Sequence, residues 1–246
     1  MNNPIRNGNF TSSEIWKLMS VGRDGVSFGK PAETYIEEKI MERRLGRSLN
    51  NESISHPLSW GKLVEGRVFD LLGMEYQLVS KDCLVHQEIP FWSGTPDANK
   101  FDVGRTVIDI KSPFTMKSFC RLVDPLYNRL EGMDAMSAVR EKHPEGEAYY
   151  WQIVSNGILT GSRFGELIVY CPFQSELEDI REYAGEVDTI EAFKFYWISN
   201  TQDDELPFIP QGSIYKNMNI IRFEILQEDK DRLRERVLKA GEYLVK

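Results

Sequence analysis

Histidine and cysteine are scarce in this sequence, with three of each among 246 residues. His56, His86 and His143 lie far apart and lack metal-ligand spacing, so they read as non-catalytic. Cys83, Cys120 and Cys171 are odd in number and widely separated. That excludes a disulfide framework and a zinc or iron–sulfur motif, and leaves reduced core thiols of a cytosolic protein. No apolar run approaches the ~20 residues that span a bilayer, so no membrane partner is expected. The opening MNNPIRNGNF has no apolar signal core, which argues against secretion. There is no internal repeat, low-complexity tract or Gly/Ser linker, so a single domain, 1–246, is the simplest organisation. Positive charge is also short. The net charge of −8 argues against a protein coated in nucleic acid, though not against a local basic groove.

The cations present are unevenly placed. Arg43, Arg44 and Arg47 cluster in MERRLGR, and Lys111, Lys117 and Arg121 follow one another in KSPFTMKSFCR. The acidic excess comes later, in SELEDIREYAGEVDTIE and TQDDEL. Cap residues and apolar spacing predict helices over TSSEIWKLMS, PAETYIEEKIMERRLG and PLSWGKLVEGRVFDLLG. The period then changes: CLVHQEIPF and TVIDIK read as strands, with a turn and a short central strand near Asp97 between them. Residues 125–161 look helical, interrupted at HPEGE. GELIVYCPF, AFKFYWIS and NIIRFEIL read as strands, and QEDKDRLRERVLKAGEYLVK as a closing helix. This order predicts an α/β (α+β) fold, a central mixed sheet flanked by helices. Trp151, Phe195, Tyr196 and Trp197 are assigned to the core rather than to a base-stacking surface.

Asp97, Asp109 and Lys111 stand out within this pattern. Asp109 and Lys111 are two apart on a strand and share one face, while Ile110 between them points into the core. Hard divalent cations take one or two carboxylates plus waters and substrate phosphates. A carboxylate and an ammonium on one face can hold such an ion beside a water and a phosphate. A D-x-K triplet alone is usually a solvated strand face or an ion pair. Here it is accompanied by Asp97 in G-T-P-D twelve residues upstream, Glu65 on the helix before the strands, and Gln152 on the helix after them.

That ordered set resembles the PD-(D/E)xK nuclease superfamily, and within it the phage lambda exonuclease-like (viral recombinase) branch. The matching residues are Trp60-Gly61 with Glu65, Gly94-Thr95-Pro96-Asp97, Asp109-Ile110-Lys111, and Gln152. The resemblance covers a core of about 58–171. It leaves a helical part at 1–57 and strands and a helix at 190–246, and implies a restriction-endonuclease-like core. It implies that Asp97, Asp109 and the Ile110 carbonyl bind Mg2+, with Mn2+ as a substitute. Glu65 would reach a second ion, Lys111 would activate or position the attacking water, and Gln152 would orient Lys111 or the scissile phosphate. In this branch an arginine and a serine near the N-terminus bind the 5′-phosphate of the DNA end, and Arg6 and Ser13 match them. The family often has Glu where Asp109 stands, and the shorter arm would shift the ion slightly.

The resemblance therefore implies a metal-dependent deoxyribonuclease that degrades linear duplex DNA from its 5′ ends. It would leave 3′ single strands for a single-strand annealing protein in phage-type recombination, inside the cytoplasm of a bacterial host. The relatives suggest a trimeric ring around the DNA, which would let basic residues line a channel while acidic ones face outward. An endonuclease or repair nuclease on the same core is the alternative enzyme. A non-catalytic DNA-binding assembly protein is the alternative from another class.

Overall fold

The computed structural model of the chain describes residues 6–49, 55–78, 83–128, 133–187 and 192–244. Its centre is β6 (Thr106–Lys111), the TVIDIK segment, buried at every position but its last. β-Branched residues suit such a strand because both of its faces are covered. On one side β6 pairs antiparallel with β5 (Ala98–Lys100), which pairs with β2 (Tyr76–Leu78). On the other side it pairs in parallel with β7 (Phe164–Tyr170), which pairs antiparallel with β8 (Met218–Glu224). A parallel pair needs a crossover. It is made by α3 (Met116–Tyr127), α4 (Ala135–Lys142) and α5 (Gly146–Thr160), the last packed on the sheet.

Helices cover both faces. On the α5 face, Val107, Leu167, Val169 and Ile221 pack against Ile153 and Val154 and against Leu233 and Val237 of α8 (Gln227–Leu244). On the other face, Ile108, Ile110 and Ile168 pack against Trp60, Leu63, Val64 and Val68 of α2 (His56–Leu71). Ser55 caps α2 by accepting from Leu58 N, and Pro57 lies in its first turn, where its missing N–H is not needed. α6 (Leu177–Glu186) and α7 (Tyr196–Asn200) complete this second layer through Leu177, Ile180, Phe195 and Ile198.

The N-terminal segment joins the body through a small second sheet. β1 (Phe10–Thr11) pairs in parallel with β4 (Trp92–Gly94), which pairs with β3 (Leu84–Val85). α1 (Lys30–Leu45) holds the same segment. Glu42 on α1 accepts from Gly8 N at 2.9 Å, Arg43 Nε donates to Gly8 O at 2.8 Å, and Tyr35 Oη accepts from Thr11 N at 2.9 Å. Arg236 of α8 closes the structure. Its guanidinium donates to the carbonyls of Leu18 (2.8 Å), Val26 (3.1 Å) and Ser20 (2.6 Å).

Three sequence expectations change. AFKFYWIS is not a strand but a 3-10 turn, Ala192–Lys194, followed by α7. Phe195 and Ile198 are buried while Phe193 and Tyr196 are exposed, a spacing of three rather than two. TSSEIWKLMS forms only a 3-10 helix, Ile15–Met19, because Thr11 and Ser12 are engaged with other elements instead of capping it. CLVHQEIPF holds only two strand residues. No described helix is long and apolar enough to cross a membrane. The three cysteines are free thiols, Cys83 and Cys171 buried and Cys120 half-buried.

Candidate active site

The site forms where β5 stops and β6 continues. Their register ends at Ala98 opposite Ile108, because Pro96 just upstream brings no N–H to a ladder. The next outward N–H on that edge of β6, from Ile110, has no strand partner. Asp97 supplies one, its Oδ2 accepting from Ile110 N at 2.7 Å. The G-T-P-D turn thus ends the sheet and places a carboxylate against the exposed end of β6.

Asp109 and Lys111 face α5, and Asp109 is only 1% exposed. Gln152 of α5 donates from Nε2 to Asp109 Oδ1 at 2.7 Å. Lys111 Nζ lies 2.7 Å from Asp109 Oδ2, but off the axis of a hydrogen bond, so that buried oxygen has no well-directed donor. The ammonium also sits 5.3 Å from the centroid of the Tyr149 ring. Glu65 of α2 lines the opposite wall of the same cleft.

The electrostatics follow from this crowding. Burial, then the charges of Asp109 and Glu65, hold the Asp97 carboxyl well above the ordinary aspartate value, while Lys111 pulls it down. Burial also raises Asp109, with Lys111 offsetting part of the effect. Burial by itself would lower Lys111, but the carboxylates of Asp109, Asp97 and Glu65 outweigh it and the net direction is upward. Without a cation, Asp109, Asp97 and Glu65 all draw on the charge of Lys111.

The cleft has a volume of about 560 Å³. Pro57, Leu58, Gly61, Lys62 and Glu65 of α2 form one wall. Residues 110–115, with Ser118, Glu145 and Tyr149, form the other. Tyr149 was not foreseen. It donates to Glu145 Oε2 at 2.5 Å and stacks against His143, which is 3.0 Å from Ser118 Oγ. The available sequence signal was its position three residues before Gln152 on one helix, which puts the two on adjoining faces. Of the histidines, His86 stacks on Trp92 and accepts from Glu88 N and Ile89 N.

Gly94 of the G-T-P-D turn is required by close approach. A Cβ there would lie 2.1 Å from Ser12 Oγ, 2.5 Å from Asn156 Oδ1 and 2.8 Å from Leu159 Cδ1. Ser12 Oγ is 2.8 Å from Ser155 Oγ, which accepts from Trp92 Nε1 at 2.8 Å. Gly94→Ala would push the N-terminal segment off α5 within one turn of Gln152. It is expected to lower stability by about 1–3 kcal/mol and to reduce turnover, measured by urea melts beside activity.

Arg6 and Ser13 are both exposed. Ser13 follows Ser12, whose N donates to Ser93 O at 2.9 Å, so it emerges beside the strand that leads to Asp97. Its Oγ lies 3.4 Å from Thr11 Oγ1. Arg6 lies further back, its carbonyl accepting from Asn9 N at 3.2 Å.

The donor set suits a hard cation with an incomplete protein shell. Asp109 Oδ2 is a buried acceptor with capacity left, and Asp97 stands beside it with a raised pKa. Among the described residues no three His, Cys, Asp or Glu side chains converge closely enough to enclose an ion. Two carboxylates with waters and phosphate oxygens are what magnesium ordinarily takes.

No protein-family model matches the sequence, and no curated protein is significantly similar to it. Solved structures do match. LHK-Exo, an alkaline exonuclease from Laribacter hongkongensis, aligns with a TM-score of 0.58 at 15% identity, covering 97% of this chain and 89% of that one. The structure of LHK-Exo in complex with dAMP aligns with the same score and identity, covering 98% and 90%. A phage-related exonuclease from Haemophilus somnus aligns with a TM-score of 0.60 at 15% identity, covering 96% and 93%. This chain has the fold of these exonucleases over nearly its whole length.

Proposed function

We propose that this chain, which has the fold of the alkaline and phage-related exonucleases, is a magnesium-dependent exonuclease. It degrades one strand of linear duplex DNA from the 5′ end and leaves 3′ single strands. The observation that carries the reading is the Asp97–Asp109 pair, held by Ile110 N and Gln152 beside Lys111, whose side chain lines the cleft together with Glu65.

Asp97, Asp109 and the Ile110 carbonyl would hold one ion, and Glu65 on the facing wall would meet a second through water. Bound magnesium, or manganese in its place, lowers the pKa of a water and neutralises charge on the scissile phosphate. The protein's own groups do the rest. Gln152 fixes the Asp109 carboxylate with Oδ2 open. Lys111, which contacts Asp109 and lines the cleft, would hold its ammonium beside the attacking water and the phosphate. The N-terminus of α3 opens on the cleft through Thr115 and Ser118, and its N–H groups favour a phosphate there. Lys117 and Arg121, both exposed, are spaced four apart on α3 and extend that cationic path.

Arg6 and Ser13 are assigned to the 5′-phosphate. A 5′-phosphorylated duplex is expected to be digested about tenfold faster than a 5′-hydroxyl duplex, since charge-assisted hydrogen bonds contribute about 1.5–3 kcal/mol each. Arg6→Ala should erase the difference. Equal single-turnover rates on the two duplexes would remove the pocket and leave the nuclease standing. Linear duplex labelled at either the 5′ or the 3′ end, with and without magnesium, tests the reaction. Release of 5′ label as mononucleotide supports the reading. Cutting of closed circular DNA would make the chain an endonuclease, and inertness in both metals would favour a DNA-binding assembly protein. The same reading carries a trimeric ring, a single-strand annealing partner and a phage or prophage setting in bacterial cytoplasm. Sedimentation tests the first of these.

A further inference from the structure

Adjacent antiparallel strands need only a tight turn of about two to five residues. β7 and β8 are such a pair, yet residues 171–217 lie between them. Part of this excursion is explained by packing, since Leu177, Ile180, Phe195 and Ile198 bury against α2 and the sheet. Arg181 ties its two helices together, donating from Nε and Nη2 to Thr201 O at 3.3 and 3.0 Å. Packing explains only part of its aromatic residues: Trp197 is half-buried against the same core, while Tyr196 is left exposed. The Trp197 ring lies flat on His56, centroids 4.0 Å apart and planes 7° from parallel. The same indole meets Phe114 edge-on at 5.8 Å. Phe114 lines the active-site cleft, with Leu58, 60% exposed, across from it. His56 is exposed at the start of α2, and Tyr196 beside Trp197 is 72% exposed.

We propose that the β7–β8 excursion carries a nucleobase-stacking wall at the rim of the active cleft, built from Trp197, His56 and Phe114, that receives the unpaired bases of the strand being cut. The occupant follows from continuity with the cleft. A strand whose phosphate reaches Asp97 and Asp109 must part from its complement, and its bases then need an apolar face. Flat aromatic rings supply one without regard to sequence. Leu58 and Phe114 give the bases an apolar path from the floor to the rim. Trp197 packs against the core as assigned, whereas Tyr196, assigned there too, is exposed; the wall adds a second role for Trp197 and rests on the nuclease reading.

The test uses the full-length chain in chelator, so that nothing is cleaved, and reads binding by fluorescence anisotropy. One probe is a 5′-phosphorylated duplex whose last three nucleotides on the 5′-ended strand are unpaired; the other has those three abasic. Wild type is expected to bind the base-bearing probe about tenfold or more tightly. Trp197→Ala should remove that preference and Trp197→Phe keep part of it. Should Trp197→Ala fail to fold, His56→Ala carries the test at an exposed position and should reduce the preference. Equal binding of both probes by wild type, or an undiminished preference in folded Trp197→Ala and His56→Ala, overturns the wall and leaves the nuclease intact. Failure of wild type to bind either probe overturns the nuclease reading first, and the wall with it.

Discussion

Asp109→Asn is expected to abolish hydrolysis, by about a thousandfold or more in single turnover, in a protein that still folds. A bound cation supplies several kcal/mol of charge stabilisation, and each 1.36 kcal/mol is tenfold in rate. The amide keeps the shape of the carboxylate and still accepts from Gln152, but it offers the ion no charge. Asp97→Asn should behave alike, and its amide oxygen can still accept from Ile110 N. Isothermal titration with magnesium, run beside the rate, should show the metal heat reduced in both variants. Near wild-type turnover in either would refute the site.

The same variants test the electrostatics. Asp97 is held well above its ordinary value of 3.8 in the fold. Its stabilising contribution is therefore fully present below 3.8 and is lost as pH rises through the folded value. Metal-free wild type should lose stability over that window, and Asp97→Asn should flatten this part of the profile. At neutral pH in chelator Asp97→Asn should melt higher, each ~1 kcal/mol relieved being worth about 2–4 °C in a domain of this size. Urea melts at stepped pH decide it, and an unchanged slope would mean the carboxyl titrates normally. Magnesium should narrow the gap between wild type and variant.

Lys111→Ala is expected to lose about a hundredfold or more in the chemical step. The ammonium is 23% exposed by its side chain and reaches both Asp109 and the open cleft, so it can move between them. Removing it takes away the ammonium 2.7 Å from the buried Asp109 carboxylate, so the metal-free variant should melt lower. Metal should restore much of that loss, because magnesium replaces the missing charge. Rapid-quench single-turnover assays separate the outcomes. A slowed chemical step with retained DNA affinity supports a role at the water or phosphate. A normal step with weakened affinity would reduce Lys111 to a phosphate clamp.

The sequence displays the centre of this site more clearly than its surroundings. Asp97, Asp109 and Lys111 were legible because charges inside an apolar strand violate the local pattern, and a two-residue spacing sets their common face. Gln152 could be placed on the right helix, but its bond to Asp109 depends on where α5 lands on the sheet. Tyr149 and Glu145 were missed for that reason. AFKFYWIS misled because aromatic and β-branched residues favour strands, whereas the burial of Phe195 and Ile198 against α2 is a tertiary demand that overrides propensity. α3 was read too late in the chain, with Thr115, which caps it, left in a loop. α6 was hidden by its acidic surface. The outer strands β2 and β3 are two or three residues long, too short for alternation to register.

The grip of Arg236 on the carbonyls of Leu18, Ser20 and Val26 bears on how the molecule comes into being. The ribosome releases the chain N-terminus first, and domains commonly begin folding as they emerge. Here the earliest residues depend on partners from the middle and the far end: Ser93 for Ser12, Ser155 one turn from Gln152, and Arg236 last of all. Contacts this distant along the chain form slowly and late. A nascent chain halted before α8 should hold a sheet with an unsecured leading segment. Protease added to stalled nascent chains should cleave at residues 6–28 until Arg236 clears the exit tunnel, so that the DNA-end pocket assigned to Arg6 and Ser13 closes only once α8 has docked.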